Sequence, residues 1–316
     1  MIVALAGGVG GAKLAQGLSL AVPRRELTVV VNTADDFDLF GLRICPDIDT
    51  VVYTLAGLAN PATGWGIAGD TRATLDAIAR YGREIWFQLG DQDFATHILR
   101  TERLRQGAPL SVVTNELAFA LGVDVEVLPM TDDPVATKLR TPDGLLDFQD
   151  YFVARRQQDD VLGVQFEGAA VAKPLPAAMD AIDRADVIVF CPSNPIVSIG
   201  PMLAVPGYRE AIERSNAPVV AVSPIVGGKA LKGPADKMLA TLGHEVSAAG
   251  VAAIYWGLVD GIVIDRTDAE LAPRIEASGI RTLVTNAVMG DADDRRRLAL
   301  EVLEFGRSLA AVEVPA

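Results

Sequence analysis

Short apolar runs rich in Val and Ile recur along the chain, separated by stretches whose apolar positions follow helical spacing. Residues 2–6, 27–31, 125–128, 187–190, 219–222, 261–264 and 282–284 read as strands. Residues 12–20, 51–58, 72–81, 108–121, 177–184, 269–277 and 292–309 read as helices, and another opens at 94–97. Between 135 and 154 the pattern alternates around Pro142-Asp143-Gly144, as in a β-hairpin. Strand–helix alternation predicts an α/β fold. It has a mostly parallel sheet with helices on both faces and a smaller excursion of helices and an antiparallel hairpin. Residues 1–70 and 165–316 are expected to form the core, with 71–164 inserted as a wall or lid.

Polar chemistry collects where the strands end. After the first strand come Gly7, Gly8, Gly10, Gly11 and Lys13. A strand, a glycine turn and a helix start present backbone N–H groups to a phosphate. The spacing is neither a dinucleotide fingerprint, which would need glycine at Lys13, nor a Walker A loop, which would need Ser or Thr after the lysine. The second strand ends at Asn32 rather than at the acidic residue of an NAD site. Residues 32–50 then carry Asp35, Asp36, Asp38, Asp47 and Asp49. Asp47 and Asp49 allow two readings: caps of the helix that follows, or ligands of a hard cation, since Mg²⁺ at phosphate sites takes one or two carboxylates plus ligand oxygens. Trp65, Trp86 and Phe87, beside glycines, are either core or a wall for a flat ring. Ser193 and Asn194, between Pro192 and Pro195, offer donors at another strand end. Lys229 and Lys232 flank a Gly-rich corner. His97 reads as a helix-surface or core residue, and His244 is assigned no chemistry.

Composition removes whole classes of function. The 316 residues carry a net charge of −13, so an extended nucleic-acid surface is not expected. Cys45 and Cys191 are the only cysteines, too few for a disulfide framework or a cysteine zinc site. No apolar run is long enough for a membrane span and no signal segment opens the chain, so a cytoplasmic protein is expected.

The segments GGVGGAK (7–13), VVNTADD (30–36), PDIDTV (46–51), LGDQDFATH (89–97), LPMTDDPV (128–135), FQDYFV (148–153), SNPIVSIGP (193–201) and SPIVGGKALKGPADK (223–237) resemble, in order, those of the 2-phospho-L-lactate transferase family. The resemblance implies that the core of residues 1–70 and 165–316 is a Rossmann-like nucleotide-binding one, and a step in the biosynthesis of coenzyme F420. A phospholactyl, phosphoenolpyruvyl or phosphoglyceryl unit passes from a GDP-linked donor to the ribityl hydroxyl of 7,8-didemethyl-8-hydroxy-5-deazariboflavin (FO), and GMP is released. It also implies Mg²⁺ and a homodimer. On this reading Asp49 and Asp47 serve catalysis and hold the metal. Asn32, Asp49, Trp65, Trp86 and Gln88 face FO, although some members have a basic residue where this chain has Gln88. Gly7, Gly8, Gly10, Gly11, Lys13, Ser193, Asn194 and Lys229 face the nucleotide. Two other readings stand beside it: a nucleotide-sugar-binding regulator of the related gluconeogenesis-factor family, which shares the glycine-rich start and has no catalysis, and an NAD-dependent oxidoreductase, which rests on fold analogy alone. PDIDT and LPMTDDPV favour the transferase over the first; Asn32 and the imperfect fingerprint oppose the second.

Overall fold

The computed structural model describes residues 1–310. Its centre is a seven-stranded sheet built from Ile2–Ala6 (β1), Leu27–Val31 (β2), Glu126–Pro129 (β5), Val187–Phe190 (β9), Val219–Val222 (β10), Gly261–Asp265 (β13) and Arg281–Thr285 (β14). The order is β14-β13-β10-β9-β1-β2-β5 and every neighbouring pair is parallel. Successive side chains of a strand point to opposite faces, and here both faces are apolar. Val3, Leu5, Ile188 and Phe190 join one buried cluster, whereas Ile2, Ala4, Val187 and Val189 join the other. Helices therefore cover both sides, as a parallel sheet requires.

The smaller elements hang from the strand ends. Phe37–Leu39 (β3) and Leu42–Ile44 (β4) form a hairpin, as do Ile225–Val226 (β11) and Lys229–Ala230 (β12). Ala136–Thr141 (β6), Gly144–Asp147 (β7) and Gly163–Glu167 (β8) make an antiparallel sheet in the order β7-β6-β8. The five helices that matter for the site are Gly8–Ala21 (α1), Pro46–Leu55 (α2), Ala73–Arg80 (α3), Asp91–Arg105 (α4) and Leu110–Ala120 (α5).

The structure revises three expectations. The segment 71–164 is not a separate insert, because it contains β5, which pairs with β2 at the edge of the central sheet. The alternation of Val125-Glu126-Val127-Leu128 hid a parallel partner, since an edge strand is covered unevenly. The boundary at 164/165 also cuts through β8, the third strand of the expected hairpin. Finally, α1 starts at Gly8 and α2 at Pro46, both earlier than helix propensity indicates. A helix's first turn needs few intrahelical bonds, so weak helix formers are tolerated there.

The chain leaves β1 towards β2 and β5 on one side, then crosses to β9 on the other. The carboxyl ends of β1 and β9 thus flank the topological switch point, where open α/β sheets bind ligands.

Candidate active site

A cavity of about 610 Å³ opens at that switch point. Its floor is the turn from β1 into α1. Gly8 has φ +64°, a left-handed conformation that favours glycine. A Cβ on Gly10 would collide with the Pro192 carbonyl, so this glycine lets the β9 loop close on the helix start. Two N–H groups of the turn are taken by the protein itself. Gly7 N–H donates to Ser193 Oγ at 3.0 Å and Gly8 N–H to Asp47 Oδ1 at 2.8 Å. Val9 and Gly10 also line the cavity, and among the described residues neither N–H has a protein acceptor. Those two donors, at the positive end of a 14-residue helix, are available to an anion.

Beside the turn, Asp35 and Asp47 share one amide. Asn32 Nδ2 donates to Asp35 Oδ2 and Asp47 Oδ2, each at 3.0 Å, and to the Val197 carbonyl at 3.2 Å. Two amide hydrogens thus serve three acceptors. Burial, and then the Asp47 charge, push the Asp35 pKa well above the usual carboxylate range. Burial raises Asp47 to about 6 against the hydrogen bonds from Asn32 and Gly8. Asp35 Oδ1 is buried without a partner among the described residues. Neighbouring oxygens that repel each other, one of them orphaned, suit a hard cation such as Mg²⁺. No group of three or more His, Cys, Asp or Glu side chains among the described residues is arranged to hold a metal. A cation at Asp35 and Asp47 would therefore draw its other ligands from a bound phosphate and water.

Asp49 has a different setting. Asp47 and Asp49 lie in the first turn of α2, whose N-cap is Cys45, and neither acts as the cap. Arg100, on α4, meets Asp49 with both terminal nitrogens: Nη2 bonds Oδ1, and Nη1 is 3.1 Å from Oδ2. Arg100 is 1% exposed, so this is a buried charge pair that fixes the Asp49 carboxylate at the cavity wall. His97 stands on the same pair, its Nδ1 3.1 Å from Arg100 Nη1. Burial pushes the His97 pKa down to about 4, so the ring is neutral at pH 7.

The 2-phospho-L-lactate transferase CofD family model matches residues 2–304 of the chain. The chain belongs to this family. It is 47% identical to the phosphoenolpyruvate transferase of Streptomyces griseus, over 98% of this chain and 99% of that protein. It is 42% identical to the 2-phospho-L-lactate transferase of Methanocaldococcus jannaschii, again over 98% and 99%. A UPF0052-family protein from Bacillus halodurans shares the fold, with a TM-score of 0.62 at 19% identity over 96% of this chain and 98% of that structure. The protein is thus an enzyme of the transferase class.

Within this transferase the expected residues separate into those at the cavity and those behind it. Gly7, Gly8, Gly10, Asp47, Asp49, Trp65, Gln88, Ser193 and Asn194 line it. Gln88 Oε1 is buried and unpaired among the described residues. Asn32 is fully buried off the cavity lining, where it donates to both carboxylates. Trp86 packs on Phe37 and Phe87, with ring centres at 5.5 and 5.6 Å, and stands behind the wall. Gly11 is buried against Ser193. Lys13 Nζ reaches the Met289 carbonyl at 2.9 Å, tying α1 to a distant loop. Lys229 is exposed on β12 and off the cavity wall; Lys232 and Arg156 are the basic side chains on that wall. Ser193 Oγ also donates to the Gly7 carbonyl at 2.9 Å, and Asn194 Oδ1 accepts from Ile196 and Val197 N–H. Both side chains thus build the loop before they meet any ligand.

Sequence reasoning did not single out Asp35 above its neighbours, nor Arg100, Phe148 and Phe152. The two phenylalanines stack with ring centres 5.6 Å apart and both line the cavity. Their spacing of four residues, in a segment read as hairpin, was the available signal.

Proposed function

We propose that the protein transfers a phosphoacyl unit from a GDP-linked donor to the ribityl hydroxyl of FO, releasing GMP, as a step in coenzyme F420 biosynthesis. Relatives at 47% identity bear the name phosphoenolpyruvate transferase, which favours a phosphoenolpyruvyl donor. One observation carries the reading. A single cavity unites free helix-start N–H groups, the Asp35–Asp47 pair, the Asp49–Arg100 pair and the rings of Trp65, Phe148 and Phe152. A diphosphate, a hydroxyl and a flat tricycle require those features together.

In the reaction, the hydroxyl oxygen bonds the phosphorus that carries the acyl unit, in line with the departing GMP oxygen. Positioning and charge neutralisation supply most of the acceleration. Val9 and Gly10 N–H and the Lys232 ammonium are the donors for the diphosphate. Asp49 is the carboxylate proposed to take the hydroxyl proton, oriented by Arg100. Asp35 and Asp47 are the residues that would hold Mg²⁺, which when bound neutralises the diphosphate charge. A homodimer remains part of the proposal and is checked by light scattering. The deciding experiment is incubation with FO, Mg²⁺ and each guanylated donor, with mass spectrometry of the products. A phosphoacyl adduct of FO together with GMP is expected; no adduct from any donor would remove this reading and favour a binding protein.

A further inference from the structure

His97 has a nitrogen that the chemistry above leaves unused. Its Nδ1 faces Arg100 Nη1 at 3.1 Å. A guanidinium only donates, so Nδ1 must be the acceptor and the neutral ring carries its hydrogen on Nε2. Nε2 is buried without a partner among the described residues, on a side chain that is 2% exposed and lines the cavity. Buried donors in folded proteins nearly always have acceptors, so an orphan at a cavity wall points to a ligand atom.

The surroundings select that atom. Asp49 Oδ2 is 3.7 Å from Nδ1, and Asp93 lies one helical turn earlier on the same face of α4. Arg100 neutralises Asp49, but Asp93, which accepts from Gly90 N–H, has no cationic partner among the described residues, so a phosphate is repelled from this corner. A neutral oxygen is not. The corner also adjoins the ring wall: a Cβ built on Gly66, next to Trp65, would lie 3.8 Å from Asp93 Oδ2. We propose that His97 Nε2–H donates a hydrogen bond to a ring carbonyl oxygen of the acceptor substrate and so sets how far the flat ring enters the cavity. This rests on FO being the acceptor.

The test compares the wild type with His97→Phe and His97→Gln. FO affinity is measured by fluorescence titration, and KM and kcat are determined for both substrates. His97→Phe is expected to raise the FO Kd and KM roughly tenfold, as for loss of one buried hydrogen bond. The donor KM should change less than about twofold, and His97→Gln, which keeps a donor, should recover most of the affinity. Should His97→Phe fail to fold, the ¹⁵N–¹H resonance of wild-type His97 Nε2 decides, since saturating FO must shift it. An unmoved resonance, or unaltered FO affinity in a folded His97→Phe, overturns the assignment while leaving the transferase reading intact. A wild type that binds no FO overturns both.

Discussion

Two aspartates two residues apart on α2 have opposite relations to their surroundings. Asp49 is compensated by Arg100, whereas Asp47 is opposed by Asp35. Replacing either member of these pairs therefore has different consequences for folding. Asp49→Asn leaves the buried Arg100 charge uncompensated and should cost about 3 kcal/mol, besides lowering turnover on the order of a hundredfold. Asp35→Asn keeps an acceptor for Asn32 and removes the repulsion. The metal-free protein should then melt higher than the wild type, while its turnover and its response to Mg²⁺ fall. Thermal melting with and without Mg²⁺, beside saturating-substrate turnover, separates the two. A lower melting temperature for Asp35→Asn would mean that the pair is not repulsive. The sequence shows Asn32, Asp35 and Asp47 within sixteen positions, and their gathering near a strand end was legible. Arg100 was not, because no local periodicity links it to Asp49 across fifty-one residues.

At the scale of elements, the positions and kind of the central strands were legible because a parallel sheet buried on both faces writes itself as short apolar runs, Val187-Ile188-Val189-Phe190 among them. Which side of an element faces the cavity was much less so. Trp65 and Trp86 both sit beside glycine-bearing turns, yet Trp65 is 45% exposed at the cavity and Trp86 braces Phe37 and Phe87. Lys229 and Lys232 are three residues apart, and only Lys232, past the end of β12, lines the wall. Trp65→Ala is expected to weaken FO binding by at least ~1 kcal/mol, the stacking contribution alone, without changing stability. Trp86→Ala should do the reverse, lowering the melting temperature through lost packing. Tryptophan quenching by FO, compared between the two variants, checks the assignment; quenching that disappears with Trp86 and persists without Trp65 would reverse it.

For the whole molecule, the acidic loop sets how stability varies with pH. Burial raises the Asp36 pKa to about 7 and those of Asp47 and Asp93 to about 6. A carboxyl raised in this way holds its proton more tightly folded than unfolded. Its contribution is complete below the ordinary carboxylate pKa and is lost as the pH rises through the folded value. The depressed His97 works in the opposite direction, but only between about 4 and its ordinary value of about 6.5. Metal-free protein should therefore lose thermal stability from pH 6 to pH 8, and Mg²⁺ with GDP should restore more of it at pH 8. A melting temperature that rises across that window at constant ionic strength would contradict this. No helix among the described residues is long and apolar enough to cross a membrane.

The starts of α3 and α4 are linked by an exchange of aspartates. Asp91, the first residue of α4, accepts from Ala73 and Thr74 N–H at the start of α3, while Asp70, just before α3, accepts from Gln92 and Asp93 N–H at the start of α4. Each helix thus carries the other's terminus. Opening either start releases caps on the other, so the two first turns are expected to exchange their amide hydrogens together.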